Sequence, residues 1–288
     1  MALSAIDPIS QALNRTKTML FPIDLAKWLR LGFCAFLMGL GGAGGGGSGQ
    51  QLSNLEPSTT WLEQNLALAG GLFVAFLIFV VLLSLLFGWL KSRGQFMFLD
   101  GVIQNRGRIK RPWHEFRREG NSLFVFSLLF SIISLVMLFS VVGVCAWIAW
   151  PDIKAEAIGS RSMLALFGGT VVLLPLAVLV VLITMALYNF VVPIMYLRRI
   201  PVMAAWRMFG SEHLNNHRRE LLLFMLMRFL LGIVSVLLAL LVVLLSCFLA
   251  LIPYVGSVLL LPISSFNRLY SLYFIEQYGP EWKVFPQG

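Results

Sequence analysis

Five polar side chains stand out in a chain that is otherwise poor in them: Arg228, Arg268, Asn121, Asn189 and Asn267. All five fall near the expected inner ends of apolar segments. Counting back ~20 residues from the outer end of its segment puts Arg228 at headgroup depth. Arg268 lies a few residues inside its own segment. A guanidinium presents a planar fork of donors that matches phosphate, and basic pockets between membrane helices hold lipid headgroups in this way. The chemistry expected of these residues is capture of an anionic lipid headgroup. The alternative is plain snorkelling of the two arginines, with ion pairs to Asp100, Glu119 or Glu276.

Other chemistry finds little support. His213 and His217 have the i, i+4 spacing of a helix face and stand beside Glu212 and Glu220, but a third metal ligand in register is missing. Cys34, Cys145 and Cys247 all lie in apolar segments and read as small hydrophobic fillers. There is no His-Glu-x-x-His, no phosphate-binding glycine loop and no nucleophile elbow. The run Gly41 to Gly49 lacks the flanking strand and helix of a dinucleotide site. No catalytic residue, metal or cofactor is expected, and the chain does not read as an enzyme.

The elements that would position the five residues follow from composition. The 288 residues are 59% hydrophobic and 12% charged, against about 25% charged in a soluble domain. Long stretches, such as Asn65 to Leu90 and Ser122 to Pro151, carry no charge at all. The reading is an all-α, polytopic transmembrane bundle forming a single membrane domain over 1–288. Six spans are expected at about 26–44, 66–90, 122–150, 164–192, 221–250 and 253–275, each long enough for a ~30 Å hydrocarbon core. The first residues lack the pattern of a cleavable signal, so the first span is expected to act as an uncleaved signal-anchor. Pro175 and Pro262 interrupt spans four and six. Pro253-Tyr254-Val255-Gly256 leaves almost no loop between spans five and six.

Charge gives orientation. Of the 22 lysines and arginines, all but Lys154 and Arg161 fall on one side of this topology, which places both ends in the cytoplasm. Trp61, Trp147, Trp150 and Tyr254 are expected at the outer interface. Positive-inside topology accounts for the net charge of +9 without nucleic acid as a partner. The spans pair into three hairpins of parallel orientation, each entered through a basic amphipathic segment expected to lie in the cytoplasmic interface. The first is 1–25, with Asp7 and Pro8 at a helix start and Ile9, Ala12, Leu13, Thr16 and Leu20 on one face. The second runs from Asp100 to Glu119. The third starts at Pro201, with Val202, Ala205, Trp206 and Phe209 on one stripe.

The segment Arg93-Gly94-Gln95-Phe96, Trp113, Glu119-Gly120-Asn121-Ser122 and Val192-Pro193-Ile194-Met195-Tyr196 resembles an uncharacterised family of bacterial and archaeal integral membrane proteins. That family is distantly similar to the membrane domain found beside glycerophosphodiester phosphodiesterase catalytic domains. The resemblance implies a six-helix bundle and carries over no catalytic residue. It also implies a bacterial or archaeal cytoplasmic (inner) membrane. The function expected is that of a non-catalytic scaffold or accessory subunit in a membrane complex, with the bilayer, its anionic lipids and a membrane protein as partners. The alternative is a transporter or flippase-like protein for lipid or another amphiphile.

Overall fold

The computed structural model describes residues 4–40, 66–107, 109–154, 159–214 and 218–285. Among them the chain is all-helical, without strands. In order come α1 (Asp7–Leu20), α2 (Leu25–Gly39), α3 (Leu66–Gln104), α4 (Lys110–Glu115), α5 (Arg117–Lys154) and α6 (Ser160–Ala186). They are followed by a π-helical turn (Leu187–Val191), α7 (Val192–Arg198), α8 (Val202–Met208), α9 (Arg218–Leu245), α10 (Pro253–Leu259) and α11 (Leu261–Glu276).

Four stretches are long and apolar enough to cross a membrane: Gly70–Gln104, Arg117–Lys154, Ser160–Arg198 and Arg218–Leu245. The pair α10 and α11, bent by 60°, makes a fifth if it counts as one span. This is the make-up of a membrane-embedded protein. The shortfall from the six spans expected lies at 26–44. There α2 has 15 residues, ~22 Å at 1.5 Å per residue, which is short of a ~30 Å core. Residues 41–44, the rest of the glycine run and Trp61 lie outside the described residues.

The long helices share one design. Helix α3 has 39 residues, ~58 Å, far more than the hydrocarbon core requires. Its first part is exposed, as at Leu72, Phe73, Phe76, Phe79 and Leu82, whereas Ser92 to Ile103 are buried. On α5, Ile132, Ile133 and Leu135 to Phe139 are all exposed. Consecutive residues cover the whole circumference of a helix, so α5 is exposed on every side here. Each long helix is thus an apolar stalk on a packed base.

This corrects the loop drawn over 91–121, most of which is helical. Helix α3 runs on to Gln104, because Phe96, Met97, Phe98, Leu99, Val102 and Ile103 supply a core that the basic residues Lys91 and Arg93 had masked. The helix of the fifth expected span, α9, ends at Leu245.

Contacts divide the chain into two compact units. One comprises 14–121 and 234–266. Here Asp24 caps α2, its Oδ1 accepting from the amides of Ala26 (3.0 Å) and Lys27 (3.3 Å), a cap worth ~1 kcal/mol. Helix α2 lies along the base of α3, where Gly94 lets the two backbones meet at Leu37 and Met38. On α10, the Tyr254 hydroxyl donates to the Leu29 carbonyl (3.1 Å) and Ser257 Oγ to that of Gly32 (3.0 Å). Equal steps along both chains mean that α2 and α10 point the same way. Tyr254, expected at the outer interface, therefore shares its level with the basic start of α2, and with Leu29, Arg30, Phe33 and Ile109 it lines a cleft of about 240 Å³.

The other unit comprises 1–13, 122–233 and 267–288. Its core is aromatic. Phe224 stacks on Tyr270 (5.2 Å between centroids) and meets Phe274 (4.4 Å) and Phe190 (4.9 Å). The stripe of the third amphipathic segment, expected to face the membrane interface, is instead packed into the protein: Val202, Ala205 and Phe209 are buried and Trp206 half-buried. The part of α1 in this unit buries Pro8 and Ala12 but exposes Leu13. Its start is capped by Ser4 Oγ, which accepts from the amides of Ile6 and Asp7, where Asp7 was the expected cap. Helix α6 continues through Pro175, whereas the chain bends between α10 and α11, next to Pro262.

Candidate functional site

The site grows out of a fault in one helix. At Leu187–Val191 the helix widens to a π-turn, and the Val192 amide reaches the Leu187 carbonyl five residues back. The next amide in that register would serve Tyr188, but residue 193 is a proline and has no N–H. Arg268 fills the gap: its Nη1 donates to the Tyr188 carbonyl at 2.6 Å. Such π-turns are frequent at functional sites because they break the regular ladder and free polar groups.

Asn189, in the middle of the turn, is buried and joins three elements. Its Nδ2 donates to the Met185 carbonyl (2.8 Å). Its Oδ1 accepts from Arg228 Nε on α9 (3.2 Å) and from Ser271 Oγ on α11 (3.1 Å). Arg228 also donates from Nη1 to Asn267 Oδ1 at 2.6 Å. Arg228 and Arg268 are near enough to repel each other. The hydrogen-bond partners of Arg228 among the described residues are neutral amide oxygens. A cation held below a membrane surface by neutral groups alone keeps much of its desolvation cost.

Four of the five expected residues therefore meet: Arg228, Arg268, Asn189 and Asn267. Asn121 does not belong with them. It lies in the unit of 14–121, where its Oδ1 accepts from Trp89 Nε1 (3.2 Å) and Arg93 Nη2 (3.3 Å). Arg93 lies there over the rings of Trp89 (4.3 Å) and Trp113 (4.9 Å), which meet edge to face. The acids offered as alternative partners are turned elsewhere. Glu276 Oε1 accepts from the amides of Val284 and Phe285, and Asp100 Oδ1 accepts from Gln104. Glu119 is buried, with one oxygen, Oε2, that has no hydrogen-bond partner among the described residues.

Sequence reasoning missed Ser271 and the Tyr188 carbonyl. The signals were present: Ser271 stands one helical turn after Asn267, and Pro193 marks the open carbonyl. Of the histidine pair, His217 lies outside the described residues, as does the side chain of His213. Among the described residues no group of His, Cys, Asp and Glu is placed to hold a metal. Cys34 is buried and Cys145 lies against Gly169, but Cys247 is exposed on a left-handed turn (φ 49°) and fills no core.

Residues 3–275 match a family of unknown function, DUF7544. No curated protein and no solved structure matches the chain.

Proposed function

Since the chain belongs to a family of unknown function, its role has to be read from its own geometry, and we propose that it is a non-catalytic scaffold or accessory subunit of a membrane complex. The observation that carries this reading is a set of glycines inside long helices. Gly71, Gly143, Gly168 and Gly232 lie on α3, α5, α6 and α9, and an added Cβ at each would meet no described atom within 4 Å. Glycine inside a helix costs ~1 kcal/mol relative to alanine, and in a bilayer it serves close approach by another helix. Gly169 shows the intrachain version of that use, packed against Cys145 Sγ. The four open glycines have no such neighbour, which suits a helix from a protein partner.

In this reading the packed bases face the cytoplasm of a bacterium or archaeon, supported by the many Lys and Arg residues near them. Distant kinship with the membrane domain beside glycerophosphodiester phosphodiesterase domains belongs to the same proposal. The motif residues that suggest it, 93–96 and 192–195, lie in the buried bases. The test is gentle extraction and native mass spectrometry of the wild type and of a Gly143→Leu/Gly168→Leu double variant. A stoichiometric membrane-protein companion, lost in the variant, is expected. A chain that emerges alone, or a variant that keeps its companion, would refute the reading.

A further inference from the structure

We propose that Arg228 is the anchor of a binding site for the phosphodiester of an anionic phospholipid. This goes beyond the accessory-subunit reading and does not depend on it. A guanidinium has five N–H donors. On Arg228 the one on Nε and one on Nη1 are engaged by Asn189 and Asn267, which leaves three without a partner among the described residues. The two neutral partners fix the plane of the group without cancelling its charge, and Arg268 adds a second positive charge nearby. A rigid, positively charged fork with donors to spare is the complement of a phosphate, which takes it through two parallel hydrogen bonds.

Position selects a lipid over a soluble anion. Arg228 is half-buried at the border between the packed face of α9, with Leu221 and Phe224, and its exposed apolar face. The neighbours on that outer face are Leu226, Phe229 and Leu230, all exposed. From Leu245, the end of α9, to Arg228 is ~25 Å along the axis, close to the thickness of the hydrocarbon core. A phosphate bound there sits at headgroup level, with acyl chains free to run along the exposed leucines. Inorganic phosphate would gain the ion pair but none of the apolar contact. The Asn189 bridge to Met185 and Ser271 makes the site a built one, its geometry set by the π-turn and α11 before any lipid arrives.

The experiment is thermal unfolding of the purified full chain in mixed micelles containing phosphatidylglycerol, or phosphatidylcholine, or with inorganic phosphate and no added lipid. Wild type is compared with Arg228→Gln and with Arg218→Gln, which removes an exposed cation from the start of the same helix. At a lipid concentration about a hundredfold over the dissociation constant, phosphatidylglycerol is expected to raise the wild-type midpoint by about 5 °C. Arg218→Gln should keep the rise and Arg228→Gln should lose it. Equal rises with phosphatidylcholine or with inorganic phosphate overturn the proposal, as does a rise that survives in Arg228→Gln or disappears equally in Arg218→Gln. Should Arg228→Gln fail to fold, native mass spectrometry of the wild type decides. One retained phosphatidylglycerol per chain in preference to phosphatidylcholine supports the site, and no preference overturns it.

Discussion

Replacing Gly94 by alanine is the sharpest test of how α2 is held on α3. A Cβ built at Gly94 lies 2.6 Å from the Met38 amide nitrogen and 2.7 Å from the Leu37 carbonyl carbon. Both are backbone atoms of a helix and cannot swing aside as a side chain could. Helix α2 would have to move away by roughly 1 Å to restore ordinary contact. Overpacking of this kind costs ~1–3 kcal/mol, and the gain in helix propensity on losing glycine returns at most ~1 kcal/mol. The net loss expected is ~1–2 kcal/mol. Gly143→Ala provides the opposite sign on the same chain, because its Cβ meets nothing described within 4 Å and only the propensity gain of ~0.5–1 kcal/mol remains. The propensity gain is common to both, so the two variants should differ by the overpacking cost of ~1–3 kcal/mol, or ~2–6 °C in unfolding midpoint for a chain of this size. Thermal unfolding of both purified proteins in the same detergent measures it. A Gly94→Ala protein that melts at or above Gly143→Ala would show that α2 does not rest on α3 as described.

Asn189→Ala removes one hydrogen bond each from Arg228, Ser271 and the Met185 carbonyl, while Arg228 keeps Asn267 Oδ1 and Ser271 keeps the Asn267 carbonyl; at ~1 kcal/mol per bond it should destabilise by about 2–4 kcal/mol, read as a lowered unfolding midpoint. Burial, with Glu220 nearby, pushes the Tyr278 hydroxyl above its ordinary pKa. The folded state then binds the proton more tightly, so the contribution of Tyr278 is full below ~10 and declines as pH rises through the folded value. Unfolding midpoints followed from pH 9 upward should fall in the wild type and fall less in Tyr278→Phe.

How much of this was legible depended on the kind of signal. The stalks could be read because a membrane span is a property of composition: Ser122 to Pro151 without a charge can hardly be anything else. The bases could not. Lys91, Arg93, Gln95 and Asp100 look like a cytoplasmic loop, yet Ser92, Arg93, Gln95 and Asp100 are buried on α3, because cation–π contacts and side-chain hydrogen bonds replace the water they would otherwise need. Four site residues were placed together from depth alone, since Arg228, Arg268, Asn189 and Asn267 stand at similar heights in their segments. Depth carries no azimuth, and so Asn121, at a matching height, was grouped with them although it faces Trp89 and Arg93. The packing of Tyr254 on Leu29 joins residues more than two hundred positions apart, and no local pattern announces it.

The pairing of Arg228 with Asn267 has a consequence for the order of synthesis. The two residues are separated by 39 positions, about 2–8 s of elongation at ~5–20 residues per second. During that interval the arginine has left the ribosome and its partner has not. Asn189, made earlier, can already accept from the guanidinium meanwhile. The hydrogen bonds of Ser4 with Gln277 and of Ala5 with Tyr270 close later still. One unit therefore starts with residues 1–13 and finishes with those near 280, while the whole of 14–121 is made in between. A chain stopped near residue 260 would carry α9 into the bilayer with Arg228 half-satisfied and the aromatic core around Phe224 lacking Tyr270 and Phe274. Such an arrested chain offers quality control an exposed cation and an unfilled core at one spot.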